Sequence, residues 1–261
     1  MKLQGERRRI LSVVAAALML SAGLAWTPAA LAGRNDDKKE KPKSGGTQMV
    51  DSGSFGVFIK GQRVVTESFS VEQRNGNSVV KSQLKQTTGT DSTSQKSDLE
   101  ISSSGELLSY EWSQSSGGSL TVLPNNEFLI ERITAPGAKP AERPFLMPSS
   151  STILDNNFFV QREVLAWKYL AADCKSEGGS LKCQQGPVEF GALVPQDRTS
   201  MPVRMELVGK EKVTIRGSER ELLRLNLKGE NFEWALWVDD HDQFKLMRVS
   251  IPADDTEVVR D

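Results

Sequence analysis

The chain contains one histidine, two cysteines and two tyrosines in 261 residues, and these scarcities close off several kinds of chemistry. One histidine and two cysteines leave little from which to build a zinc site. A Ser-His-Asp triad would have to use His241, and the sequence has no Gly-x-Ser-x-Gly turn to hold its nucleophile. A Gly-rich phosphate loop is also missing. The 33 lysines and arginines are balanced by 34 aspartates and glutamates, for a formal charge of −1. The basic face that nucleic acid requires is therefore not expected. No catalytic residue, metal ligand or cofactor is assigned. His241 does stand among Asp239, Asp240 and Asp242, but a hard cation needs six or more oxygens. Between two strong strand patterns the four residues read as a turn.

Long apolar runs are confined to the first residues. Arg7-Arg8-Arg9 precedes the uncharged stretch Ile10–Leu24, and Ala30-Leu31-Ala32 follows Pro28. This is the pattern of a secretion signal cut after Ala32, and the apolar core is too short for a membrane span. The arginines also permit a twin-arginine reading of the same segment. With no cysteine at the cleavage point, a lipid anchor is not expected. The mature chain is expected in the periplasm or outside the cell, without a transmembrane segment. Residues 33–50 are charged and Pro/Gly-containing, the composition of a disordered linker, which leaves 51–261 as a single domain. In an oxidising compartment Cys174 and Cys183 pair as a structural disulfide across a Gly-containing loop. Their spacing does not fit a redox motif.

Within the domain the hydrophobic period is two. Phe55, Val57 and Ile59 alternate, as do Phe69 and Val71, and Asn75-Gly76 is a strong hairpin signal that sets Val71 opposite Val80. Thr87–Ser97 is almost wholly polar and reads as an exposed edge or a loop. Strands follow around Asp98–Ser102, Leu107–Gln114, Leu120–Leu123 and Glu127–Thr134. Pro136, Pro140, Pro144 and Pro148 then make 135–151 an extended surface connector. One helix is expected over Asp155–Ala171, with Ser151, Thr152 and Asp155 as candidate N-caps. Its apolar residues cover most of its circumference, so it is expected to be embedded on several sides. A second meander follows, with Val203, Met205 and Leu207 before a turn at Gly209-Lys210. Val213 and Ile215 precede a turn at Gly217, and the alternation resumes in Leu223–Leu227, Phe232–Val238 and Phe244–Ile251.

Three segments carry a resemblance to the bacterial β-clam proteins, which include the periplasmic lipoprotein carriers, the outer-membrane lipoprotein receptors and related exported domains. Phe55-Gly56-Val57-Phe58-Ile59-Lys60-Gly61-Gln62 resembles the opening strand and turn of the uncharacterised branch. Leu107–Trp112 is similar to a middle strand, and Trp234-Ala235-Leu236-Trp237-Val238-Asp239 to a late strand ending in an acidic turn. The resemblance implies a mainly β fold. Its half-barrel of strongly curved antiparallel sheet has a central helix against the concave face, over an apolar cavity that holds acyl chains in the carriers.

A curved sheet can enclose more apolar surface than it fills. The candidate cavity residues are Phe158, Phe159, Trp167, Phe232, Trp234 and Leu236, with Trp237 on the opposite strand face from Leu236. The leading expectation is a non-enzymatic exported protein that binds a lipid or acylated molecule. One alternative is an envelope assembly module that contacts another protein through 33–50 and the polar edge at 87–97. A third is a hydrolase that gathers scattered carboxylates, which requires a cleft with two convergent acids of shifted pKa.

Overall fold

The computed structural model describes residues 46–86, 94–177, 180–184 and 186–261. The leader (1–32), most of the expected linker (33–45) and the polar residues 87–93 lie outside the described residues. Turn chemistry lays down the first arm. Strands β1 (Gln48–Ile59), β2 (Gln62–Arg74) and β3 (Asn77–Gln86) are joined by Lys60-Gly61 and Asn75-Gly76. All four turn residues have positive φ (49°, 75°, 51° and 87°). That is the conformation whose twist matches the flanking strands, and Val71 pairs with Val80 as expected. Gln48 and Met49 are already paired with β2, and Val50 sits at a bulge beside them, so all three belong to the sheet and not to the linker.

The meander continues through β4 (Ser94–Ile101), β5 (Leu107–Gln114), β6 (Ser119–Asn125) and β7 (Phe128–Thr134). Ser94–Ser97 is not an edge: β4 lies between β3 and β5. Ladder bonds use main-chain groups, which a serine-rich strand supplies as well as an apolar one. The proline-rich connector is also shorter than expected. Within it β8 (Ala141–Phe145) pairs with β7, and Pro144 is tolerated because β8 has a partner on one side only.

After β9 (Thr152–Ile153) comes the helix α1 (Val160–Asp173), then a separate hairpin of β10 (Cys174–Glu177) and β11 (Ser180–Cys183). The disulfide joins directly opposed residues, with Cα atoms 3.9 Å apart. Gln184 N–H donates to Asp173 C=O at 3.1 Å, so the cysteines occupy the adjacent, closer pair site. The expected loop between them is thus a hairpin. The second arm is β12 (Val188–Val194), β13 (Thr199–Ile215), β14 (Ser218–Lys228), β15 (Glu233–Asp239) and β16 (Lys245–Ile251). A short 3₁₀ turn, Pro252–Asp254, leads to β17 (Thr256–Arg260). Gly209 does not end a strand. It sits at a bulge inside β13, and bulges bend a strand without breaking it.

The sheet order is β8-β7-β6-β5-β4-β3-β2-β1-β17-β16-β15-β14-β13-β12-β9. The last strand pairs antiparallel with the first, which fuses the two meanders into one strongly curved sheet. Among the described strands only β9 runs parallel to its neighbour. Buried and partly buried residues form continuous rows across the inner face. One runs Val71, Val80, Leu99, Tyr110, Val122, Glu131. Another runs Val57, Val258, Val249, Leu236, Leu225, Leu207. Residues of both rows and of α1 share one core cluster, so the helix lies inside the curve. Trp237 points the other way and packs on the outer face with Val213, Ile215, Leu222 and Met247.

α1 starts at Val160, five residues later than expected, and none of the three candidate caps serves it. Its N-cap position is Phe159, which offers no side-chain acceptor. The cap comes from the sheet. Glu67 on β2 accepts the N–H groups of Phe159 (2.6 Å) and Val160 (3.2 Å), and these are among the orphan donors every helix start presents.

Candidate functional site

Of the six residues expected to line a cavity, Trp167 lines the cleft along the helix, and the other five are not among its lining residues. Phe158 and Leu236 are fully buried, and Phe159 and Leu236 belong to the core. Phe232 and Trp234 pack against each other with ring centroids 4.7 Å apart and planes tilted by 36°. The Arg162 guanidinium lies 5.0 Å from the Phe159 ring and 4.9 Å from that of Trp234. These aromatics therefore coat a buried cation instead of surrounding open space.

That cation belongs to a polar network sealed beneath the start of the helix. Arg162 donates to the carbonyls of Phe158 (2.7 Å) and Asp155. Asp155 accepts bonds from Tyr110 and Gln196, and its own N–H donates to Gln161 at 2.7 Å. Besides capping the helix, Glu67 accepts from Ser82 Oγ at 2.7 Å. Burial raises the Glu67 carboxyl to about 7 and also raises Asp155. The same desolvation lowers Arg162 to about 10. Two buried acids of raised pKa are thus present, but Glu67 caps the helix while Asp155 anchors Tyr110 and Gln196, and neither is among the residues that line the cleft along the helix.

The open space lies along the other half of the helix. A cleft of about 540 Å³ runs between α1, β4, the Ser102–Gly105 turn and β9, within the usual size of small-ligand sites. Leu99, Leu107, Ile153, Val164 and Trp167 form its apolar wall, and Ser102, Ser104 and Lys168 form a polar side. Trp167 is held in place by its indole N–H, which donates to Phe244 C=O at 3.0 Å. The Lys168 ammonium donates to Gly105 C=O at 3.0 Å and to Ser150 C=O. Desolvation lowers its pKa, against a smaller raising effect from Glu106. Sequence reasoning missed these polar residues. Ser102–Gly105 looked like turn punctuation, and Lys168 looked like one of several charges scattered round a helix.

The acidic turn is a turn. Asp239 accepts the His241 N–H at 3.0 Å, Asp240 pairs with Lys210 at 2.8 Å, and the His241 ring is exposed. The carboxylates and His241 come within 4.8 Å of one another, which gives three ligand atoms where a hard cation wants six or more.

No family model matches the chain, and no curated protein matches it. Among solved structures it is similar to a β-barrel-like protein of a domain of unknown function, DUF1849, from Brucella abortus. The TM-score is 0.49 at 6% identity, covering 80% of this chain and 94% of that one. Among the described residues no helix is long and apolar enough to cross a membrane. In class, the chain is a curved antiparallel β-sheet wrapped round one internal helix, with a cleft at its side.

Proposed function

We propose that this is an exported, non-enzymatic protein of the bacterial envelope that holds an apolar or acylated molecule in the cleft beside α1. The observation that carries the reading is the cleft itself, about 540 Å³ with an apolar wall and a polar margin. Export is supported by the leader pattern of residues 1–32 and by the Cys174–Cys183 disulfide, which suits an oxidising compartment. The likeness of Phe55–Gln62 and Trp234–Asp239 to β-clam proteins, whose carrier members hold acyl chains, agrees with an acyl ligand. A non-enzymatic role is favoured because the acids with raised pKa values are committed to holding the fold. The assembly-module alternative loses the described end of its polar edge, since Ser94–Ser97 is paired on both sides within the sheet.

The test is mass spectrometry of organic extracts from protein purified gently from its own exported fraction, beside the variant Ala171→Trp. Ala171 is exposed on the cleft wall, so an indole there occupies the space without touching the core. A near-stoichiometric amphiphile in the wild type, depleted about tenfold or more in the variant, is expected. A blank extract, together with no uptake of added lipid, overturns the reading.

A further inference from the structure

The polar margin of the cleft says more than that an apolar molecule fits. A second cleft of about 450 Å³ lies on the other side of the segment before β9, bounded by Met147, Pro148 and Gly191. Ser151, Lys168 and Phe190 line both spaces, so the two meet at these side chains. Ser151 is only 4% exposed, yet its hydroxyl has no hydrogen-bond partner. An unpaired buried hydroxyl is costly, and this one lies on the wall of a space large enough for a ligand. A missing Cβ leaves it in place: one added at Gly191 would come within 3.2 Å of Ser151 Oγ.

Lys168 faces the same junction. Its stem lies against the Ser104-Gly105 turn, where a Cβ on Gly105 would meet its Cε at 3.8 Å. Its ammonium bonds two neutral carbonyls, and among the described residues no carboxylate lies within 4.0 Å of it. Glu106 acts on it from beyond that distance, more weakly than desolvation does, so the charge of this half-buried lysine is solvated by carbonyls and only partly offset. An anion placed there would gain a charge-assisted bond from Lys168 and would satisfy the Ser151 hydroxyl as its acceptor. The apolar wall of Leu99, Leu107 and Trp167 begins at the same place.

We propose that the junction is an anion site, at which Lys168 and Ser151 hold the carboxylate or phosphate head of a single-chain amphiphile whose tail lies along Trp167 and Leu107. This rests on the ligand reading above and adds the chemical class of the ligand. The lysine confers the preference for an anion, and the hydroxyl fixes its position.

Calorimetric titration of the delipidated protein at neutral pH separates the two claims. Dodecanoate, dodecyl phosphate and dodecanol carry the same tail on three heads. At least one anion is expected to bind about tenfold more tightly than the alcohol, and the tighter anion identifies the head group as carboxylate or phosphate. Lys168→Met should bring that anion down to the affinity of dodecanol, and Ser151→Ala should weaken the anion while leaving the alcohol unchanged. Equal binding of all three by the wild type overturns the anion site and leaves the apolar-ligand reading standing. An undiminished preference in Lys168→Met also overturns it. Binding of none of the three overturns the ligand reading itself. The wild-type comparison needs no variant, and circular dichroism checks that both variants fold.

Discussion

Glu67 concentrates the physics of the fold in one side chain. It is fully buried, which penalises its charge, yet it accepts three hydrogen bonds and faces Arg162. Its carboxyl is raised to about 7, and burial is the largest cause. A carboxyl whose folded value lies above its ordinary 4.5 stabilises the fold fully below that value. The contribution is lost as the pH rises through about 7. Asp155, Glu131 and Glu163 are raised in the same direction, again chiefly by burial. The urea midpoint of the protein should therefore be higher at about pH 5 than at about pH 8, and Glu67→Gln should narrow that gap. An unchanged gap would show that Glu67 does not titrate in this window. Glu67→Ala removes the cap as well as the acid and leaves the buried N–H groups of Phe159 and Val160 and the Ser82 hydroxyl without their acceptor, at an expected cost of about 3 kcal/mol or more in chemical unfolding.

At the scale of elements, what was legible in the sequence followed from local chemistry. Asn75-Gly76 fixes a turn, the turn fixes Val71 against Val80, and neither needs the rest of the chain. The helix was legible as an embedded helix because its apolar residues circle it. Its first turn was not, because the cap arrives from β2, far away in sequence, while Asp155 resembles a local cap but instead anchors Tyr110 and Gln196. β17 was hidden for a related reason. Its inward residues are Thr256, Val258 and Arg260, and an arginine breaks the apolar alternation. Arg260 is buried because it meets Asp51 at 2.7 Å and Glu163 at 3.4 Å and stacks on Phe55 and Phe69. The cavity residues were misplaced because aromatic content marks burial, and burial alone does not separate a filled core from an open wall. The disulfide hairpin stands outside the main sheet, so its reduction has a bounded effect. Loss of the Cys174–Cys183 link should cost about 2–3 kcal/mol and lower the melting temperature, while the far-ultraviolet β signal stays. Loss of that signal on reduction would mean that the hairpin organises the sheet.

The whole molecule is a sheet joined through its middle and left open at its ends. β1 and β17 close the two arms with a full ladder, clamped by Asp51 and Arg260. β8 and β9, the free edges, are separated by only the few residues between Phe145 and Thr152, which hold them within about 25 Å of each other. Side chains, not a ladder, bridge the arms there. Arg143 on β8 donates to the Arg198 carbonyl in the β12–β13 turn at 3.0 Å. Arg198 Nε donates to Glu131 on β7, also at 3.0 Å, and Glu131 is fully buried. A ladder loosens only when a row of bonds breaks together, whereas this seam depends on very few contacts. Arg198→Ala takes the hydrogen-bonding cation from the buried Glu131 carboxylate and leaves only the more distant charge of Arg143, for an expected loss of about 1–3 kcal/mol. The loss should be local. Hydrogen exchange in the variant should accelerate in β7, β8 and the β12–β13 turn and stay slow in β1 and β17. Uniform acceleration across all strands would mean that the sheet opens as one cooperative unit and that the seam is no weaker than the join at its middle.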